Sequence, residues 1–246
     1  MTFAIKIINL IKKFNNLTVI DNINLEILPG EIFAFLGPNG AGKTTTVKLI
    51  SGLLRPTSGD IFVYGYNVVK QPLEIKKIIG LLPDNPFIYP KLTGREFLRI
   101  TGNIYKVPSE QQEKTITEFV SLFNLEDIID NLIETYSRGT KQKIILASIL
   151  LHKPKLLLLD EPLVGLDPES SKLVKKIFLD LSNSGTAIFM CTHILEIAEK
   201  IANRIGIINM GKIVAIGSKE EMTKKLTLDN LEDIYFKLTE KNETSY

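Results

Sequence analysis

The sequence predicts an α/β fold with a mainly parallel sheet of buried strands, an N-terminal antiparallel β subdomain and an inserted α-helical subdomain. Three observations carry that prediction. Residues 32–36 form a short continuous apolar run that passes through a glycine-rich loop, Gly37-Pro38-Asn39-Gly40-Ala41-Gly42-Lys43-Thr44, into a helical pattern over 44–50. Residues 156–159, 187–190 and 205–208 are further short apolar runs, each associated with a helical pattern, as expected for strands covered on both faces. Between Asp84 and Leu151 the strand signal vanishes, and 95–105, 109–123 and 141–151 read as helices separated by proline and glycine.

The remaining elements follow in order. Short apolar bursts at 4–10, 18–20 and 23–28, separated by Asn-rich and Lys-rich turns, give the antiparallel start. A second strand pair is expected over 206–216 around Met210-Gly211, then an amphipathic helix over 228–238 and a frayed end over 240–246. The expected organisation is one domain over 1–217, holding a helical subdomain at about 84–151, and a C-terminal helical extension over 218–246.

Composition narrows the function. At 246 residues and 44% hydrophobic content the chain buries a substantial core. Thirty basic residues against 28 acidic ones leave +2 with no block of one sign, so nothing electrostatic calls for a nucleic acid partner. Cys191 is the only cysteine and lies in an apolar run, so it reads as a core residue and the expected setting is the reducing cytoplasm. No secretion signal is visible. The longest apolar stretch, 144–151, is far shorter than the roughly 20 residues of a membrane-crossing helix. If the protein works at a membrane, another chain holds it there.

The glycine-rich loop fits GxxxxGK[ST], the phosphate-cradling P-loop, and predicts a P-loop NTPase core. Freed backbone amides point at the β-phosphate and the helix dipole adds favourable potential. Lys43 offers a point charge to the β- and γ-phosphates, the Thr44 hydroxyl is placed to ligate Mg²⁺, and Thr45 belongs to the same nucleotide contact. Downstream, four leucines end in Asp160-Glu161, a Walker B element. Its aspartate serves the Mg²⁺ shell, and the adjacent carboxylate projects toward the γ-phosphate as a general base for the attacking water. A nucleoside triphosphate and Mg²⁺ are therefore the expected ligands, and the resemblance described next implies that the nucleotide is ATP.

These motifs make the chain similar to the ATP-binding subunit of ABC transporters over roughly residues 3–217. Tyr136-Ser137-Arg138-Gly139-Thr140-Lys141-Gln142 looks like a variant of that family's LSGGQ signature and opens a helix. The resemblance implies that Ser137, the Gly139 amide and the helix N-terminus bind the ATP of a partner subunit, so that two subunits close head to tail over two ATPs. It further implies that Asp167, in Gly165-Leu166-Asp167, lies across that interface. His193 then contacts the γ-phosphate, and Phe14 stacks on adenine. A phenylalanine in an apolar N-terminal sheet is equally a core residue.

Two departures stand out. Asp84, in Leu82-Pro83-Asp84-Asn85-Pro86, occupies the place of the family's Q-loop glutamine. It either ligates Mg²⁺ through water or only starts a proline-flanked turn. Arg138 replaces a signature glycine and either adds positive charge near the partner's phosphates or faces solvent. The Ser-basic-Gly signature and the Pro-Asp-x-Pro segment resemble bacterial exporters.

The implied partners are membrane-spanning permease subunits and a second ATP-binding subunit, with both half-sites on one chain favouring a homodimer. The implied location is the cytoplasmic face of the cell membrane, peripherally bound. A docking cleft is expected near Asp84, with Phe87, Ile88 and Tyr89 as contacts or as local packing. A soluble non-transport ABC ATPase and a low-turnover nucleotide switch are the rival readings.

Overall fold

The computed structural model describes residues 2–226, 228 and 230–239. The chain opens with two long antiparallel strands, β1 (Ile5–Phe14) and β2 (Leu17–Ile27), turning at Asn15 with φ 51°. The sequence broke these into shorter bursts because the alternation slips. Register shifts between Ile7 and Leu10 and between Leu10 and Lys12 bulge β1, and Asn9 and Asn22 sit at φ 46° and 55°, where asparagine is tolerated.

The next strand, β3 (Ile32–Leu36), leads through the glycine-rich loop into α1 (Lys43–Ile50). Two further strands, β4 (Ser58–Val63) and β5 (Tyr66–Asn67), complete a four-stranded antiparallel sheet of order β2-β1-β4-β5. After α2 (Pro72–Ile78) the chain enters β6 (Ile79–Leu82) with no intervening loop.

The helical block is α3 (Gly94–Ile104), α4 (Ser109–Leu122) and α5 (Arg138–Leu150). Thr93 and Glu96 form a reciprocal capping box at the start of α3. Bidentate pairs Arg95–Asp130 and Arg99–Glu113 tie α3 to the rest of the block. The third helix starts at Arg138, three residues before the sequence pattern suggested, because Ser137 caps it by accepting the Thr140 amide at 3.1 Å.

The chain then alternates through β7 (Leu156–Asp160), α6 (Pro168–Asn183), β8 (Ala187–Thr192), α7 (Leu195–Ile201), β9 (Arg204–Asn209) and β10 (Lys212–Gly217). The main sheet has order β10-β9-β3-β8-β7-β6, parallel except for the terminal β10 hairpin strand. Last come α8 (Lys219–Leu226) and α9 (Leu231–Thr239), the latter tied to β9 by Asn209 Nδ2 donating to the Leu238 carbonyl at 3.0 Å. The expected frayed end lies outside the described residues.

The continuous apolar runs have a direct physical cause. Successive side chains of a strand point to opposite faces, and both faces of this sheet are covered. Phe33, Phe35, Leu156, Leu158 and Phe189 join β1, β2, β4 and α1 in one core. Ala34, Leu36, Leu157, Leu159 and Met190 join α5, α6 and α9 in the other. Cys191 is fully buried in the first, as its sequence context predicted.

Phe189 lies between Phe33 and Phe35, with ring centroids 5.9 and 5.3 Å away. Phe189→Ala should therefore lower stability by about 3–5 kcal/mol, read by denaturant unfolding. A loss under about 1 kcal/mol would mean that this core is not packed as described.

Candidate functional site

The phosphate loop is bound to its own scaffold by contacts that only glycine permits. A Cβ on Gly37 would come within 2.4 Å of the Ile208 carbonyl of β9, and Gly42 has φ 114° immediately before α1. Gly40, at φ 80°, has nothing within 4 Å of where a Cβ would stand, so the loop backbone is open on that side. Ala41 is buried, accepts the Gly211 amide and donates to Pro38. The first turn of α1 carries neither a side-chain cap nor an acid, which leaves its positive end to an external anion.

Lys43 is buried and its ammonium donates to the Gly37 carbonyl at 2.6 Å and to the Pro38 carbonyl at 3.2 Å. An ammonium has three donors, so one remains. Thr44 and Thr45 follow on the first turn of α1, Thr44 exposed.

At the end of β7, Asp160 is only 3% exposed and its Oδ2 has no hydrogen-bond partner. Burial pushes its carboxyl above the usual carboxylate range. The Thr44 hydroxyl and Lys43 pull it down, while Asp84 and Glu161 push it further up. Asp84 itself is exposed, just past the end of β6.

Glu161 has φ 53°, a left-handed backbone that a β-strand exit would not otherwise select. Its amide donates to the Cys191 carbonyl at 2.9 Å, which fixes the turn against β8. Oε1 lies 2.7 Å from His193 Nδ1 and Oε2 accepts from the Thr192 hydroxyl at 3.1 Å. An ionised carboxylate only accepts, so the imidazole proton sits on Nδ1 and Nε2 is left for another partner. The glutamate side chain is 14% exposed and the histidine 57%. Thr192, the last residue of β8, to which the sequence gave no role, is the third member of this latch.

Strands β3, β8, β7 and β6 are consecutive neighbours, so the P-loop, His193, Asp160 with Glu161, and Asp84 all lie at the carboxyl edge of one sheet. That edge is where parallel α/β sheets bind ligands. The arrangement presents a cation and open amides opposite three carboxylates, which suits a polyphosphate and a hard divalent cation.

Ser137, Gly139 and Asp167 belong elsewhere. Among the described residues no hydrogen bond joins any of them to the P-loop or to Glu161. Ser137 caps α5, and its hydroxyl lies 2.9 Å from the Thr140 hydroxyl. Asp167 caps α6, and the Ser170 hydroxyl at 2.6 Å and amide at 2.8 Å hold its carboxyl below the ordinary range. Arg138 is exposed, which suits both of its readings, and its side chain lies along Gly165. Phe14 is 43% exposed and so is not a core residue; the Lys12 ammonium lies 4.8 Å over its ring.

A groove of ≈ 860 Å³ opens between the helical block and the β6 edge. Exposed Leu53, Leu73 and Ile104 line it with Tyr105, and its charged residues are Lys76, Lys77, Lys106 and Glu74, the last paired with Lys77 at 2.7 Å. His152 stacks on Tyr105 at 3.7 Å, and its Nε2 bonds the Ile79 carbonyl at 3.0 Å. Phe87 and Tyr89 do not line this groove. They are exposed and pair edge to face at 5.3 Å, whereas Ile88 packs onto the helix-side core.

Comparison with known proteins places this geometry. Residues 20–164 match the ABC transporter family. The linearmycin resistance ATP-binding protein LnrL of Bacillus subtilis (strain 168) is 36% identical over 223 residues, 91% of this chain and 72% of its own length. The bacitracin transport ATP-binding protein BcrA of Bacillus licheniformis is 34% identical over 244 residues, 99% of this chain and 78% of its own. A solved structure of an ATP-binding subunit of an ABC transporter superposes with TM-score 0.91 at 28% identity, covering 96% of this chain and all of that one. The chain belongs to the ABC transporter family, as an ATP-binding and ATP-hydrolysing subunit.

Proposed function

We propose that this subunit drives export through separate membrane-spanning permease subunits by closing head to tail with a second copy over two ATPs. The observation that carries the reading is the convergence of Lys43, Thr44, Asp84, Asp160, Glu161 and His193 on one sheet edge, while the start of α5, capped by Ser137, stands apart from it. In each half-site the loop from Gly37 to Thr45 wraps the phosphates, Lys43 gives its remaining donor to them and Phe14 stacks on adenine. The partner copy contributes Ser137, the Gly139 amide and the Asp167 loop. Glu161 orients the attacking water and takes its proton once the contact with His193 loosens, and His193 turns to the γ-phosphate.

Asp160 Oδ2 is a buried carboxyl oxygen without a hydrogen-bond partner, beside the Thr44 hydroxyl and in the field of Asp84. That oxygen set fits Mg²⁺, held by Thr44, Asp160 and, through water, Asp84. When bound with the triphosphate, Mg²⁺ neutralises charge on the transferred phosphoryl group. Among the described residues no group of three or more His, Cys, Asp or Glu side chains is placed to hold a metal ion, so phosphate and water would complete the shell, as they ordinarily do for Mg²⁺.

The groove beside β6 suits a short amphipathic segment of the permease, with apolar residues against Leu53, Leu73 and Ile104 and acids toward the lysines. Among the described residues no helix is long and apolar enough to cross a membrane, so peripheral attachment on the cytoplasmic face falls to that partner. The resistance and transport roles in the names of the two relatives support export. The switch reading retains one observation: both Glu161 oxygens are engaged by protein groups.

Glu161→Gln should reduce turnover by about a hundredfold or more while ATP produces a stable dimer by light scattering. Undiminished turnover would remove Glu161 as the base, and wild-type turnover already at background would favour the switch. Asp84→Gln should retain ATP binding by calorimetry and alter the hydrolysis rate; an unchanged rate would make Asp84 a turn residue.

Asp160 also gives a pH prediction. Its folded carboxyl holds its proton to higher pH than the unfolded one, so ionisation destabilises the nucleotide-free fold. That penalty is absent below the unfolded value, grows as pH rises through the interval between the two and is complete above the folded value. Asp160→Asn should therefore melt higher than wild type at neutral pH, with the gap closing toward acid. A lower melting temperature at neutral pH would contradict an uncompensated carboxylate.

A further inference from the structure

The loop between Glu161 and α6 is held weakly by its own hydrogen bonds. Val164 donates to the Glu161 carbonyl and Leu166 to the Leu163 carbonyl, both at 3.3 Å, and Gly165 between them is left-handed at φ 86°. Contacts from outside must therefore fix its course, and three of them come from the first turns of one helix, α5.

Gln142 Nε2 donates to the Pro162 carbonyl at 2.9 Å, directly after Glu161. A Cβ on Gly139 would stand 3.1 Å from the Gly165 carbonyl, so the two backbones meet there with nothing between them. The Arg138 side chain runs across the open face of Gly165, with Cγ, Cδ and Nε at 3.2, 3.0 and 2.9 Å from where a Cβ would be. Gly165 thus serves two ends: it permits the left-handed turn and leaves room for the arginine stem. Among the described residues Glu161 itself has two outer anchors, the β8 carbonyl of Cys191 on its amide and the Thr192–His193 pair on its carboxylate. A shift in the loop at Pro162 acts on the residue next to it.

We propose that Arg138 and Gln142 are positioning residues that tie the start of α5 to the loop following Glu161. Filling the half-site that uses this chain's α5 then sets the carboxylate that works in the other half-site. The coupling rests on the head-to-tail arrangement proposed above; the clamp itself exists within one chain. Arg138 acts mainly through its aliphatic stem and Nε over Gly165, which explains why an arginine is accommodated at a position where the resembling signature carries glycine.

The test uses the full chain with MgATP as the only ligand, comparing wild type with Arg138→Ala, Arg138→Lys and Gln142→Glu. Gln142→Glu keeps the shape and removes the donor to Pro162. Arg138→Ala and Gln142→Glu should each lower kcat by about tenfold with KM within about twofold, and flatten the ATP dependence of the rate. Arg138→Lys, which retains a stem over Gly165, should recover most of the rate. Backbone amides of 163–167 should exchange with solvent faster in Arg138→Ala, while the melting temperature stays unchanged because Arg138 is exposed.

A raised KM with intact kcat in Arg138→Ala would overturn the proposal, since the arginine would then be touching nucleotide directly. Unaltered exchange over 163–167 would overturn it as well. The exchange measurement needs no dimer, so its failure is separable from failure of the Glu161→Gln variant to dimerise, which would remove the head-to-tail reading instead.

Discussion

A buried carboxylate with one unpartnered oxygen organises this molecule. Leu156 to Leu159 are fully buried because the sheet is covered on both faces, and the strand carries the next residue, Asp160, into the same low-dielectric environment. Taking a lone ionised carboxylate out of water costs several kcal/mol even after relaxation, on the order of what a whole domain has in reserve. Among the described residues the Thr44 hydroxyl and Lys43 offset that cost, and Lys43 is already donating to two loop carbonyls. In the function proposed above, a divalent cation would complete the site and bring its polyphosphate to open amides and a lysine. Selectivity for a metal-bound nucleotide is the consequence that this proposal draws from the unpartnered carboxyl oxygen.

Everything else fixes where that charge meets the phosphates. Two cores clamp the main sheet, one around Phe33, Phe35 and Phe189 under the N-terminal sheet and the other under the helical block, so β3, β8, β7 and β6 cannot slide without disturbing both. Four positions in the left-handed backbone region lie at the same edge: Gly40 and Gly42 in the loop, Glu161 after β7 and Gly165 just beyond. Strain is tolerated there because the surrounding sheet over-determines it. Glu161 is turned toward β8 and latched by Thr192 and His193; in the function proposed above, that latch would give the histidine control over when the carboxylate becomes free.

Much of this was legible in the residues. A four-leucine run ending in two acids, and an apolar run ending in GxxxxGK[ST], each identify a buried strand and what it delivers, because continuous hydrophobicity and strand-end polarity come from the same burial. The short strand β6 was not legible, since it is four residues long and contains Gly80, whose Cβ would lie 2.7 Å from Leu157 Cδ2; only its neighbour β7 makes it a strand. The full lengths of β1 and β2 were hidden by bulges at which alternation slips. At the site, the strand-end residues could be named from sequence, but the latch on Glu161 could not. It depends on β8 lying beside β7, which is a fact of sheet order. The placement of Arg138 over Gly165 was equally invisible, because no local pattern joins a helix start to a distant turn.

The most direct test of this account is calorimetric titration of the full wild-type chain with ATP, once with Mg²⁺ and once with a chelator. An unpartnered Asp160 carboxylate beside the phosphate loop predicts clearly tighter binding with the metal. Equal affinity in the two titrations would mean that the charge at the end of β7 does not govern nucleotide binding, and would contradict the account at its root.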